Sequence, residues 1–518
     1  MIQELDLVCS PKEAANQNLL HQVLAKKLHC ASADIEGFHI LRKSIDARKI
    51  PIKINLRAQV AIKETLPPRE HIPLNYKNIS NAKRVLIIGS GPGGIFAALR
   101  CIELGYKPVI IERGSDVQNR RRDLKAINRD NTVNPDSNYC FGEGGAGTYS
   151  DGKLYTRSTK RGSVERILDI LVHHGAVEDI LYEAHPHIGT NKLPRVVQAI
   201  RETIIDCGGE VHFNTRMTDL IIKNDLVTGI ATQNGDTIEG EALILATGHS
   251  ARDVFELLHK KKVKIESKPF AMGVRVEHPQ ELIDNIQYHG YPRGEELPAA
   301  AYKLVQQVDG RGVYSFCMCP GGFIVPSATA QNELVVNGMS PSKRDNHFAN
   351  SGIVVSIEPE DLKAYEKHGP LAGMRYQMDL EQQMWKAGNQ TQEACAQRLT
   401  DFVKGKTSST LNESSYIPGL LSRPMQDILP NSISNRLQKG FMKFGEKMRG
   451  YYTAEANIIG LESRTSSPVR IPRDRNTFQH PQIKNLFPCG EGAGFAGGIV
   501  SAAIDGEKCA EGVEQWLA

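Results

Sequence analysis

The sequence predicts an α/β protein: a doubly wound parallel-sheet domain assembled from separated segments, an inserted α+β domain, and a small N-terminal α/β domain. Three observations carry this expectation. The run from Lys83 to Arg113 reads as strand, glycine turn, helix, strand. Two later apolar runs, ALIL before Ala246-Thr247-Gly248 and NLFP before Cys489-Gly490-Glu491, each end at a glycine turn, as returning parallel strands do. The region 255–454 contains no second unit of this kind. A chain of 518 residues suits roughly three domains at about 150 residues each. The expected organisation is 1–80 for the N-terminal domain, 81–254 and 455–518 for the two parts of the parallel-sheet domain, and 255–454 for the insertion.

Along residues 1–80, Leu20, Val23, Leu24 and Leu28 fall at helical spacing between Asn16 and Cys30. Ile50, Ile52, Ile54, Leu56, Ala58, Val60 and Ile62 alternate as in a half-buried strand, and with the extended segment before them suggest a hairpin beside a helix. The proline-bearing stretch TLPPREHIPLNYKN ends the unit. Arg42, Lys43 and Arg48 read as a solvated face, and the unit as a packing or association module.

In the next segment Val85 to Ile88 is an apolar run of buried-strand length, followed by Gly89, Gly91 and Gly94 in G-x-G-x-x-G spacing. Gly89 permits a tight turn, Gly91 lets main-chain N–H groups approach a pyrophosphate, and Gly94 lets helix and strand pack closely. The phosphates would sit at a helix N-terminus, where unpaired N–H groups and the helix dipole favour an anion. Glu112, at the end of the second strand, stands where an acid meets ribose hydroxyls and argues against a 2′-phosphate. The run is thus a Rossmann-like dinucleotide site, for FAD or NAD. The basic stretch RRRDLK, 120–125, reads as an exposed helix face.

A helix is expected over 194–206, then short strands punctuated by Asn-Asp and Asn-Gly-Asp turns. Two further glycine clusters stand out. FGEGGAGTYSDGKL, 141–154, can lay backbone flat against a ligand, and near Gly497-Gly498 a helix begins beside exposed glycine backbone.

Lys plus Arg number 63 and Asp plus Glu 59, a net charge of +4 that implies no polyanion partner. The ten cysteines form neither zinc spacings nor a disulfide framework. His185 and His187 alternate without further ligands, so no metal is expected. The N-terminus lacks a charged start with an apolar core, and no apolar run approaches the roughly 20 residues of a membrane span. A soluble, cytoplasmic protein acting on a small molecule, without nucleic acid or membrane, is expected; these features leave the subunit number open.

The segments Gly89 to Gly94, Thr247-Gly248 and Gly490 to Ile499 look like the FAD contacts of glutathione-reductase-like flavoproteins. More narrowly, FGEGGAGTYSDGKL, YSFCMCPGGFIVPSAT, GLESRTSSPVRIPRD, CGEGAGFAGGIVSAAIDG and KSIDAR resemble the uncharacterised FAD-dependent dehydrogenase family of bacteria, over nearly the whole chain. The resemblance implies FAD as cofactor, with Gly89, Gly91, Gly93 and Gly94 around the pyrophosphate, Glu112 on the adenosine ribose and Arg113 beside the adenine. It also implies main-chain contacts from Met217 to adenine, closure by Thr247 and Gly248, and cofactor contact from Gly144, Gly145, Asp151, Gly152 and Lys153. Gly490 and Glu491 replace the Gly-Asp of many relatives, and Gly498 and Ile499 would face the flavin pyrimidine edge.

With FAD, the expected chemistry is hydride transfer at flavin N5, with NADH or NADPH as a transient donor. Substrate-side candidates are Cys317 and Cys319, two thiols one residue apart, against the reading that they are ordinary buried strand cysteines. In Glu462, Arg464, Ser466 and Arg470, Arg464 could clamp a substrate carboxylate or pair structurally with a glutamate. His249 receives no catalytic role. Other readings share these motifs: a flavin monooxygenase-like enzyme, a folate- and FAD-dependent RNA-modifying enzyme, and a non-enzymatic redox-sensing flavoprotein.

Overall fold

A computed structural model describes residues 1–156 and 161–518. Five parallel strands form its central sheet, in the order Leu486–Pro488, Ala242–Leu245, Arg84–Ile88, Lys107–Ile111, Glu210–His212. The strands are near-continuous apolar runs because both faces of the sheet are covered. Val85 and Ile87 point into one core with the helices Pro92–Leu104, Val164–His173, Leu193–Asp206 and Ile499–Leu517. Leu86 and Ile88 point into the other, against the three-stranded meander Met217–Glu239 and the helix Arg252–Lys260. The chain leaves Arg84–Ile88 toward Lys107–Ile111 and Glu210–His212 on one side, and Ala242–Leu245 and Leu486–Pro488 add on the other. A crevice therefore opens beyond the carboxyl ends of the strands at that switch point.

The second large sheet has seven strands in the order Val305–Val308, Arg311–Cys319, Phe348–Ile357, Phe270–Pro279, Asn457–Glu462, Ala394–Arg398, Leu420–Ser422. All its pairs are antiparallel except the last. Asn457–Glu462 pairs with Phe270–Pro279 at its heart, so the expected boundary at 454/455 falls ahead of a strand that belongs to the inserted sheet. The cause is burial: all six of its residues are buried between two neighbours.

At the N-terminus the expected hairpin is a three-stranded sheet, Ile2–Cys9, Lys53–Ile62, Ile35–Asp46, with the helix Gln17–Leu28 beside it. Its buried side chains are continuous with the core of the seven-stranded sheet. Lys43, expected in solvent, pairs with Glu183 at 2.9 Å while its backbone bonds to Tyr182 and Ala184. No helix among the described residues is long and apolar enough to cross a membrane.

Candidate functional site

A cavity of about 410 Å³ lies where the carboxyl ends of the parallel strands meet the inserted sheet. Gly89, Gly91, Gly93, Glu112, Arg113, Gly145, Asp151, Gly152, Lys153, Met217, Thr247, Gly248, Gly490, Glu491, Gly498 and Ile499 all line it. Gly94 and Gly144 do not. Gly94 packs helix on strand: a Cβ there would stand 1.9 Å from the Gly89 carbonyl. Gly144 makes a left-handed turn, φ 76°, whose Cβ would meet the Thr148 hydroxyl at 1.8 Å.

Two helices open on this space without side-chain caps. Pro92–Leu104 begins at extended Gly91, and Ile499–Leu517 begins at extended Gly498. Their first N–H groups have no intrahelical partner and concentrate positive potential. Gly248 and Gly490 are both left-handed, φ 74° and 73°, and with Gly497 they present backbone to open space, with nothing within 4 Å of where a Cβ would be. Bare backbone and two helix termini suit an extended, anionic ligand.

Glu112 is buried, and its carboxylate already accepts four hydrogen bonds: Ser90 N–H (2.9 Å), Ser90 Oγ (2.8 Å), Gly114 N–H (2.9 Å) and Gly142 N–H (3.0 Å). Four donors fill the capacity of a carboxylate. Its first task is therefore to tie the glycine turn to the Gly142 loop. Arg113 lies over the Phe141 ring and spans Asp136 (2.8 Å) and Asp253 (2.9 Å). Arg120, expected in solvent, is fully buried, and its guanidinium donates to the carbonyls of Asn138 (2.9 Å), Glu143 (2.8 Å) and Gly145 (2.9 Å). It fixes the course of the glycine loop that forms the cavity wall.

The glutamate and arginine candidates of 462–470 separate. Glu462 pairs with fully buried Arg275 at 2.8 Å. Arg464 pairs with Glu333 and Glu381, each at 2.8 Å, and donates to Thr329 Oγ1 at 2.8 Å. Arg252 holds the same two glutamates at 2.9 Å. Arg464 lines the cavity, and its guanidinium is engaged by these buried carboxylates. Arg470 is exposed.

The antiparallel sheet contributes Cys317. The register between Arg311–Cys319 and Phe348–Ile357 shifts between Phe316 and Cys319, and Cys317 is left-handed with φ 46°. This bulge turns Cys317 into the cavity wall. Cys319 is buried, outside the lining, and its thiol donates to the Cys317 carbonyl at 3.3 Å. Lys153 closes the same corner: it lines the cavity, its ammonium donates to the Met318 carbonyl, and its side chain is 39% exposed. Asp151 anchors it from below and is itself gripped by Arg344 at 2.5 and 3.0 Å.

His249, given no role from sequence, lines the cavity with Nδ1 3.5 Å from Glu491. Its Nε2 is buried and finds no hydrogen-bond partner among the described residues. A carboxylate beside one ring nitrogen and an unsatisfied second nitrogen make this imidazole a candidate for proton movement in the cavity wall. The sequence signal was the acid at 491 where Gly-Asp was expected, but nothing local joined it to position 249. Cys489, Asp505 and Cys509 also converge. Their centre is taken by Arg473, 2.5 Å from Asp505 and 3.3 Å from Cys509 Sγ, so a guanidinium supplies the cation there.

A family profile described as "FAD-dependent protein, C-terminal domain-like" matches residues 269–465, and a domain of unknown function matches residues 1–61. An uncharacterized protein of Clostridium beijerinckii is 42% identical over 513 residues, 95% of each chain. The chain belongs to this family of FAD-dependent proteins. FAD is its cofactor. A thiamine thiazole synthase of Aeropyrum pernix is 26% identical over 224 residues, covering 40% of this chain and 69% of that one. Among solved structures, a glycine oxidase of Bacillus cereus aligns with a TM-score of 0.32 and 15% identity, over 84% of this chain and 95% of that one. Within the FAD-dependent family, the bare glycines and the two uncapped helix termini of this chain fit the diphosphate and the electron-rich flavin edge by the chemistry of their donors.

Proposed function

We propose that this chain is an FAD-dependent oxidoreductase that moves an electron pair between flavin and a small molecule bound against the inserted sheet. The observation that carries the reading is the convergence of two uncapped helix N-termini and three unshielded glycine backbones on one cavity at the strand ends. Gly89, Gly91 and Gly93 would hold the pyrophosphate, with Arg113 and Met217 toward the adenosine. Thr247, Gly248, Gly490, Gly498 and Ile499 would hold the flavin side. Bound FAD supplies hydride exchange at flavin N5.

The protein's share is position, charge and proton movement. The N-terminus of Ile499–Leu517 would favour negative charge at the flavin edge by about 0.3–1 kcal/mol, up to ~2 if partly buried. Glu491, 3.5 Å from His249 Nδ1, would orient the imidazole in the cavity wall, where it would serve proton movement. Lys153 presents a cation on the substrate side, which suits an anionic or thiolate-bearing partner. NADH or NADPH would serve as a transient electron donor, entering the same open cavity.

An anaerobic visible spectrum of the purified protein, titrated with NADH and then NADPH, tests the reading. Bleaching of the flavin bands by either donor is expected. Flavin that stays oxidised under both would overturn the nicotinamide-fed reaction, and a protein that retains no flavin after addition of FAD would overturn the assignment of the cavity.

A further inference from the structure

We propose that Cys317 and Cys319 are a redox-active dithiol in the wall of the cavity, relaying electrons between the flavin and a small disulfide substrate. The inference rests on the oxidoreductase reading and names its substrate class.

The geometry is unlike that of two cysteines on a regular strand. Regular alternation would leave both side chains on one face with an ordinary residue between them. Here the ladder breaks between Phe316 and Cys319, and the left-handed backbone of Cys317 swings its thiol to the cavity while Cys319 stays behind it. The Cys319 thiol donates to the Cys317 carbonyl at 3.3 Å, which holds the two cysteines side by side. One sulfur is therefore open to a ligand, and the second is held ready behind it. A left-handed non-glycine residue at a bulge costs energy that ordinary packing does not repay, and such strain gathers at functional positions.

The charges support the division of labour. The neighbouring Cys319 thiol draws the Cys317 pKa down; burial opposes this, and Lys153 and Arg275 reinforce it. The neighbouring Cys317 sulfur and burial push Cys319 up. Cys317 is thus the thiolate, the reactive form, and Cys319 the resolving thiol.

The steps balance. The Cys317 thiolate attacks one sulfur of the substrate, R–S–S–R. That S–S bond breaks, one R–S⁻ leaves, and a Cys317–S–S–R bond forms. Cys319 gives up its proton and attacks the Cys317 sulfur; the second R–S⁻ leaves and takes that proton as R–SH. The Cys317–Cys319 disulfide is reopened by two electrons and one proton from the reduced cofactor, which restores a thiolate and a thiol.

The test uses the FAD-loaded protein exposed to hydroxyethyl disulfide, then acid quench, alkylation with N-ethylmaleimide, digestion and mass spectrometry. The expected product is one peptide carrying both cysteines unalkylated and two hydrogen masses lighter. In Cys319→Ser the mixed disulfide should be trapped on Cys317; in Cys317→Ser neither adduct nor disulfide should form. Reducing the flavin with light and EDTA should then reopen the wild-type disulfide, and the same illumination of flavin-free protein should leave it closed. Full alkylation of both cysteines after the disulfide treatment overturns the dithiol, and a disulfide that survives flavin reduction overturns the relay. Neither result depends on NADH or NADPH, so failure of the nicotinamide titration and failure of this proposal are separate readings. Flavin absorbance in both serine variants checks that the fold and cofactor are retained.

Discussion

Arg252, Arg464, Glu333 and Glu381 share a buried space in which each charge is neutralised only by the others. Burial by itself would raise the Glu381 carboxyl, but the two guanidiniums outweigh it and hold it well below the ordinary carboxylate value. Removing one partner from such a set strands a buried charge, which costs about 3–5 kcal/mol. Arg464→Ala is therefore expected to lose about that much stability in urea unfolding; unchanged stability with lost flavin reduction would instead place Arg464 on the substrate. His249 is the reverse case. His249→Asn keeps a polar side chain of similar reach, so bound flavin should be unchanged while substrate-dependent flavin turnover slows by about 10² or more. Stopped-flow traces equal to wild type would remove the His249–Glu491 pair from the chemistry. The arginine at 464 was legible as an ion-pair former, but its partners were not, because Glu333 and Glu381 lie 131 and 83 residues away. Such distances leave no local pattern.

At the scale of an element, the helix Pro92–Leu104 and the strand before it are held together by the absence of a side chain. Gly94→Ala would put a methyl 1.9 Å from the Gly89 carbonyl. The helix must move off the strand, at about 1–3 kcal/mol, and the turn that faces the pyrophosphate moves with it. A lower thermal midpoint together with lost flavin absorbance is expected; retention of both would show that the packing is looser than the backbone spacing implies. This element was readable because strand, turn and helix are contiguous and their glycine spacing is a local requirement. The helix Val117–Arg129 was misread for an equally physical reason. Val117, Arg120, Leu124 and Ile127 are its buried residues, so Arg120 lies on the apolar stripe that their spacing marks. Its charge, inside a basic run, suggested solvent, and only the loop carbonyls folded over it make burial tolerable.

The whole molecule carries a pH dependence of its own in the inserted sheet. His278 is fully buried on the strand Phe270–Pro279, with Nε2 2.9 Å from the Tyr451 carbonyl. Burial lowers its pKa from 6.5 to about 4, with that hydrogen bond opposing only in part. The folded chain therefore stays neutral there while the unfolded chain takes a proton below pH 6.5. Stability from this group is complete above that value and is lost as pH falls toward 4, by about 3 kcal/mol at most. Unfolding free energies at pH 7 and pH 4.5 should show a smaller difference for His278→Gln than for wild type; equal differences would exclude His278 as a source. The sequence by itself determined the parallel-sheet unit, its glycine turn, the two returning strands and the dinucleotide chemistry, because alternation, apolar run length and glycine spacing act over a few residues. The tertiary structure alone decided that Asn457–Glu462 joins the inserted sheet, that Glu112 is saturated by three backbone N–H groups and the Ser90 hydroxyl, that Arg464 is held by Glu333 and Glu381, and that Glu491 meets His249. It also decided that a bulge turns Cys317 toward the cofactor cavity. Each of these depends on which distant elements pack together, and a pairing of that kind is settled by burial and charge compensation across the fold rather than by any neighbouring residue.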